Sequence, residues 1–189
     1  MTAEAGERLV RAMRGFSSRA QEVRSDDLGR ATPCAEWDVS ALVEHVIGEL
    51  LWTSPLLAGR TIADVGSSLE GDHVGSDAVA GTAAAISAAQ DAVVGVTDWS
   101  APVHVSYGDV PAHSYVDEVA TDVLVHTWDL ARAVGADEHL DDELVQLALE
   151  RVAGQAEMLA ASGLFDAPVP VGDDAPAQTR LLAALGREP

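Results

Sequence analysis

A histidine and a carboxylate stand four residues apart at two places in this sequence, each time inside a run that is otherwise apolar. One pair is His45 with Glu49, in Leu42-Val43-Glu44-His45-Val46-Ile47-Gly48-Glu49-Leu50-Leu51-Trp52. The other is Asp122 with His126, in Val119-Ala120-Thr121-Asp122-Val123-Leu124-Val125-His126-Thr127-Trp128-Asp129-Leu130. Spacing of four stacks two side chains on one helix face. Asp122 and His126 thus share a stripe with Val119, Val123, Leu130 and Ala133, and His45 and Glu49 share one with Leu42, Val46 and Trp52. An ionised group left alone on such a face is costly, so each pair must be matched or must ligate something. If the two helices face each other, His45, Asp122 and His126 converge as two nitrogens and one oxygen on a divalent ion. The fourth position stays open, as in catalytic zinc sites. Glu49 would then orient His45 or accept a proton from bound water. The plainer alternative is a buried ion pair of Asp122 and His126 beside a satisfied core histidine.

The remaining histidines add little to this set. His73 falls in a loop and His139 beside Asp137 and Glu138, both expected in solvent, whereas His104 and His113 flank a helix start where they could line a pocket mouth. Cys34 is the single cysteine, which excludes an internal disulfide and a thiolate zinc site. It precedes a helix, whose dipole favours a thiolate, but packing beside Trp37 is the simpler reading. HExxH, a glycine-rich loop ahead of GK[ST], GxSxG and a GxGxxG after a strand are all missing. The i, i+3 Glu-x-x-His of di-metal carboxylate bundles is replaced by i, i+4 pairs. Serine or cysteine hydrolase chemistry is accordingly disfavoured.

The elements that must position these residues are mostly helical, because apolar residues recur at spacings of three and four and alternating β-branched runs are nearly absent. Helices are predicted over 3–24, over 39–53 after an Asp38 cap and before a stop at Pro55, over 77–96, from Pro111 to Val134 with Gly135 ending it, and over 141–161 after Asp141-Asp142. Thr61 with Asp64 caps a short turn at 62–65, and a Gly/Ser/Asp-rich loop runs on to about Asp77. Val103 to Gly108 alternates like a strand but is too short to found a sheet. Pro168 to Val171 is extended, and a short helix follows over 176–185. The sum is an all-α four-helix bundle with one long crossover, a single domain over 1–189 with its core at about 3–163 and a C-terminal extension at 164–189.

Composition narrows the partners. The chain has 189 residues, 48% hydrophobic, with 31 Asp plus Glu against 11 basic residues and a net charge of -20. All of those basic residues are arginine. Such a field repels phosphate backbones and anionic bilayers, so neither nucleic acid nor membrane is an expected partner. Lysine's absence suggests GC-rich coding, as in actinobacteria, with salt adaptation as the alternative. No signal-peptide core or run of about 18 apolar residues is present, and a cytoplasmic location is expected.

Thr32-Pro33-Cys34-Ala35-Glu36-Trp37-Asp38-Val39, then His45, then Leu50 to Gly59, then Asp122 to Ala133, and the closing Arg180-Leu181-Leu182 and Gly186-Arg187 together resemble a known family. It is the actinobacterial family related to the metal-binding domain of mycothiol-dependent maleylpyruvate isomerase, within the DinB-like superfamily. The block His126-Thr127-Trp128-Asp129-Leu130-Ala131-Arg132 is the most specific part, and the resemblance spans nearly the whole chain. It implies a DinB-like bundle holding a divalent metal, zinc or nickel, and places the ligands on His45, Asp122 and His126. Two departures stand out: the isomerase is expected to carry glutamate where Asp122 stands, and the residues after Gly163 are too few to form the isomerase's additional C-terminal domain. Maleylpyruvate isomerisation is therefore not expected. The expected function is a metal-dependent enzyme that activates mycothiol or a similar small thiol, or water, for transfer, addition or isomerisation of a small-molecule substrate. A non-catalytic metal-binding or small-molecule-sensing bundle is the alternative, and apolar faces that serve a homodimer are a third. The acidic shell should draw in a divalent cation and discourage anionic substrates unless the pocket supplies arginine, with Arg132 the nearest candidate in sequence.

Overall fold

Side-chain caps set the helix boundaries in the computed structural model, which describes residues 3–75, 77–155 and 166–189. The helices are α1 (Ala3–Ala20), α2 (Val39–Leu57), α3 (Ile62–Val65), α4 (Ala78–Val94), α5 (Ala112–Val134), α6 (Asp142–Gly154) and α7 (Ala177–Ala184). Asp38, Asp77 and Asp141 each accept a backbone N–H two or three residues on, at 2.9 Å from Ala41, 3.0 Å from Ala80 and 3.2 Å from Leu144. Thr61 and Asp64 form the reciprocal box that opens α3. At the other end of α5, Gly135 takes φ 77°, a left-handed stop that side chains bearing a Cβ resist.

Three boundaries differ from the sequence expectation. α1 ends at Ala20 rather than 24, and the chain turns through a 3-10 segment, Ser25–Asp27, where Asp27 is clamped by Arg24 and Arg30. α2 runs through Pro55 to Leu57, because a proline in the last turn forfeits a single hydrogen bond while Ala58 N–H still reaches Ser54 at 3.1 Å. The alternating stretch becomes strand β1 (Pro102–Val105), which pairs antiparallel with β2 (Gly108–Pro111) as a two-stranded hairpin. Residues 156–161, the expected end of the 141–161 helix, lie outside the described residues.

Four helices close a ring in which α1 and α2 each pack against both α4 and α5. Leu9, Met13 and Phe16 of α1, Leu42, Val46 and Leu50 of α2, Ala89 of α4 and Val116, Val123 and Leu130 of α5 are fully buried along its axis. Alanine-rich α4 lets the crossover lie close: Gly81 sits against the His73 backbone carbonyl with no room for a methyl group. Glu44 ties the same loop to α2, accepting the backbone N–H of His73 at 2.9 Å and of Val74 at 2.8 Å. The position before His45 is thus fixed by the crossover itself.

The chain's last described segment packs onto the α5–α6 end. α7 lies on α6, Leu181 and Leu182 are fully buried, and Gln178 donates to the Glu138 carbonyl at 2.9 Å. Gly81→Ala should destabilise the protein by about 1–3 kcal/mol in chemical denaturation, because the crossover must shift to admit the methyl group; an unchanged midpoint would show that this loop is not pinned.

Candidate metal centre

α2 and α5 lie side by side, and this contact brings the two polar pairs of the sequence together. The Asp122 carboxylate sits between two imidazoles, with Oδ2 at 3.2 Å from His45 Nε2 and Oδ1 at 3.5 Å from His126 Nε2. One donor atom from each of His45, Asp122 and His126 falls within 4.8 Å of the others. The two rings meet edge to face at 4.9 Å between centroids, and Trp37 packs on both, at 4.7 Å from His45 and 5.6 Å from His126. The Thr32-to-Trp37 turn therefore supplies a wall for the site.

Behind His126 stands a second layer. Its Nδ1 lies 3.0 Å from Asp129 Oδ2, and Asp129 is completely buried. Arg187 donates to both Asp129 oxygens, at 2.9 Å from Nη2 and 3.3 Å from Nε. Cys34 joins the cluster: its Sγ is 3.3 Å from Asp129 Oδ2 and accepts from Arg187 Nη2 at 3.3 Å. Cys34, His126 and Asp129 also bring their donor atoms close together, but both Asp129 oxygens are already occupied by His126, Cys34 and Arg187. This group supports His126 from the side away from Asp122.

The charges follow from these contacts. Burial alone would raise the Asp122 carboxyl, but His126 and His45 outweigh it and hold the group below the usual carboxylate range. Burial would likewise lower His126, yet Asp122 and Asp129 on its two faces push it well above an ordinary histidine. With no ion, both carboxylates favour the protonated ring. Glu49 lines the same space, pushed up by burial and then by the Asp122 charge, and forms no hydrogen bond to His45 among the described residues.

Above the ligand set opens a cavity of about 680 Å³, lined mainly by apolar side chains and bounded by Arg151 and Arg187. Arg132, the arginine expected from sequence, points elsewhere: it pairs with Glu138 at 2.7 Å and lies over Trp128 at 4.3 Å. A guanidinium so engaged with a carboxylate on the surface cannot also reach the cavity. His104 bonds Asp109 across the hairpin at 2.8 Å, and His113 lines a separate cavity beside Arg8 and Asp117. His73 is tied down through Leu69 and Glu44 rather than free in solvent, while His139 is exposed as expected. The sequence assigns Asp129 no role, although its i+3 spacing from His126 is a usable signal; Arg187 stands out only as part of the closing Gly186-Arg187 of the family resemblance.

Residues 9–131 match the family described as the mycothiol maleylpyruvate isomerase N-terminal domain. Two uncharacterized proteins from Mycobacterium tuberculosis strains CDC 1551 and H37Rv are each 33% identical over 179 residues, covering 94% of both chains. A crystal structure of mycothiol-dependent maleylpyruvate isomerase superposes with a TM-score of 0.65 at 17% identity, covering 84% of this chain and 75% of that one. A mutant of that isomerase gives 0.63 at 18% identity, covering 80% and 72%. At these identities the solved structures establish a shared fold.

Removing Arg187 would strip the buried Asp129 of its full-charge partner and leave it to share His126 with Asp122. Arg187→Ala should therefore cost about 3–5 kcal/mol in denaturation of metal-free protein. A loss under about 1 kcal/mol would mean that Asp129 finds another partner.

Proposed function

The chain belongs to the mycothiol maleylpyruvate isomerase N-terminal domain family, and from that premise we propose that it is a metal-dependent enzyme acting on a small thiol of the mycothiol type. The observation that carries this reading is the convergence of His45, Asp122 and His126 at the floor of a largely apolar cavity. Two imidazole nitrogens and a carboxylate oxygen suit zinc, with nickel the alternative. Asp122 is a methylene shorter than the glutamate expected in the isomerase, but its carboxylate still lies beside both imidazole nitrogens and would join them in holding an ion. When bound, the ion would supply the Lewis acidity that lowers the pKa of a thiol or water.

The protein's own residues prepare that chemistry. Asp129 accepts the Nδ1–H of His126, which leaves Nε2 as the nitrogen facing Asp122 and His45. Arg187 balances Asp129, so His126 is oriented without adding an unpaired charge to the core. Trp37 holds both rings in place and closes one side against water. Glu49 shares the cavity and, with its proton affinity raised, is placed to take the proton that a thiol gives up. The reaction class is thiol transfer, addition or isomerisation on a small molecule in the cytoplasm. Maleylpyruvate isomerisation itself is not part of the proposal, because at 17% identity the isomerase structure supports a shared fold alone.

Elemental analysis of untagged protein should find about one equivalent of divalent metal, lost in both His45→Ala and His126→Ala; full retention in both variants would overturn the site. Uptake should also tighten from about pH 6 to about pH 8, since an ion must displace the proton that Asp122 and Asp129 hold on His126. On cobalt-substituted protein, a small thiol should shift the visible spectrum, and silence with every thiol tried would remove the thiol from the reading.

A further inference from the structure

Charge inside the cavity bears on what can share it with a thiol. Among the described residues its carboxylates are Glu49, Glu118 and Asp122, and its guanidiniums are Arg151 and Arg187. Both guanidiniums are already engaged. Arg187 is held by Asp129 and by the Leu185 carbonyl at 2.9 Å, while Arg151 lies 3.6 Å from Glu118 and donates to the Ser114 carbonyl at 3.1 Å. Tyr107 donates to the same Glu118 carboxylate at 2.5 Å, so this corner is closed by internal bonds. Apart from the ligand histidines, most of the remaining wall is apolar, with Leu56, Ile62 and Val152 in it, and its polar members Ser106, Tyr115, Thr121 and Gln155 are uncharged.

We infer that the cavity takes an uncharged, largely apolar co-substrate against this wall and rejects dicarboxylates. Desolvating a carboxylate without a free cation to meet it is costly, and here each cation already has an anionic or carbonyl partner. Burial and the Asp122 charge raise Glu49, and an entering carboxylate would meet the same two penalties. An ion at the ligand set would favour a single anionic atom, which a thiolate sulfur supplies; among the described residues the rest of the cavity offers uncharged polar groups but no cation without a partner. Its apolar wall instead rewards each buried hydrocarbon group. The inference rests on the proposed function for the cavity's purpose, but its recognition chemistry is testable without metal.

Two probes isolate the charge: N-phenyl-1-naphthylamine, which is uncharged, and 8-anilinonaphthalene-1-sulfonate, which has the same ring skeleton with a sulfonate. In chelator-treated full-length protein the uncharged probe should bind one to one and about tenfold or more tighter than the sulfonate. Ile62→Glu, at a partly exposed position on the rim, should weaken the uncharged probe by about fivefold or more, which places it in this cavity. Glu49→Gln combined with Glu118→Gln should tighten the sulfonate by about fivefold while moving the uncharged probe by less than about twofold. Equal affinities, a preference for the sulfonate, or indifference to the double substitution would overturn the inference. Metal content of the same samples separates the two ideas: retained metal without probe selectivity overturns this inference alone, and selectivity without metal uptake sustains it while overturning the metal reading.

Discussion

Asp129 has no exposure to solvent, and keeping its charge compensated organises much of the molecule. A buried carboxylate must be met by donors on every open lone pair. One face receives His126 from a turn earlier on α5, another receives Arg187 from the segment after α7, and Cys34 from the turn before α2 fills the rest. Three parts of the chain distant in sequence therefore meet at one side chain. Turning His126 toward Asp129 also aims its other nitrogen at Asp122, and Asp122 in turn engages His45 on α2. The order runs from an electrostatic demand in the core to the geometry of the donor set.

The four-helix ring makes this possible at modest cost. α1 and α4 contribute apolar faces to the axis, so that α2 and α5 can each devote positions to polar residues without emptying the core. Small residues along α4 let the crossover approach closely, and Glu44 secures it next to His45. A protein interior tolerates such a polar network only when its members are satisfied, which is what the Asp122, His126, Asp129 and Arg187 chain achieves.

Much of this was legible from residue spacing. The i, i+4 pairs on apolar faces let His45, Asp122 and His126 converge if their helices face each other, because helical periodicity fixes which residues share a face; that α2 and α5 do lie together is a fact of the fold. Caps at Asp38 and Asp141, and the glycine stop at Gly135, were likewise local signals. What sequence could not reveal was long-range. Arg187 reaches Asp129 across 58 residues, and no local pattern distinguishes it from Arg132, which spends its charge on Glu138 at the surface. Pro55 misled for a different reason: its rule assumes a helix interior, whereas the last turn loses little by it.

The 58-residue separation between Asp129 and Arg187 also imposes an order on biosynthesis. All four ring helices are translated before the guanidinium that completes the core network exists. During that interval Asp129 has only His126 and Cys34 to meet its charge. Polypeptides interrupted before Arg187 stay in that condition. Arg187 is thus the last member of the Asp129 network to be made, and the network's charge balance is completed only when it arrives.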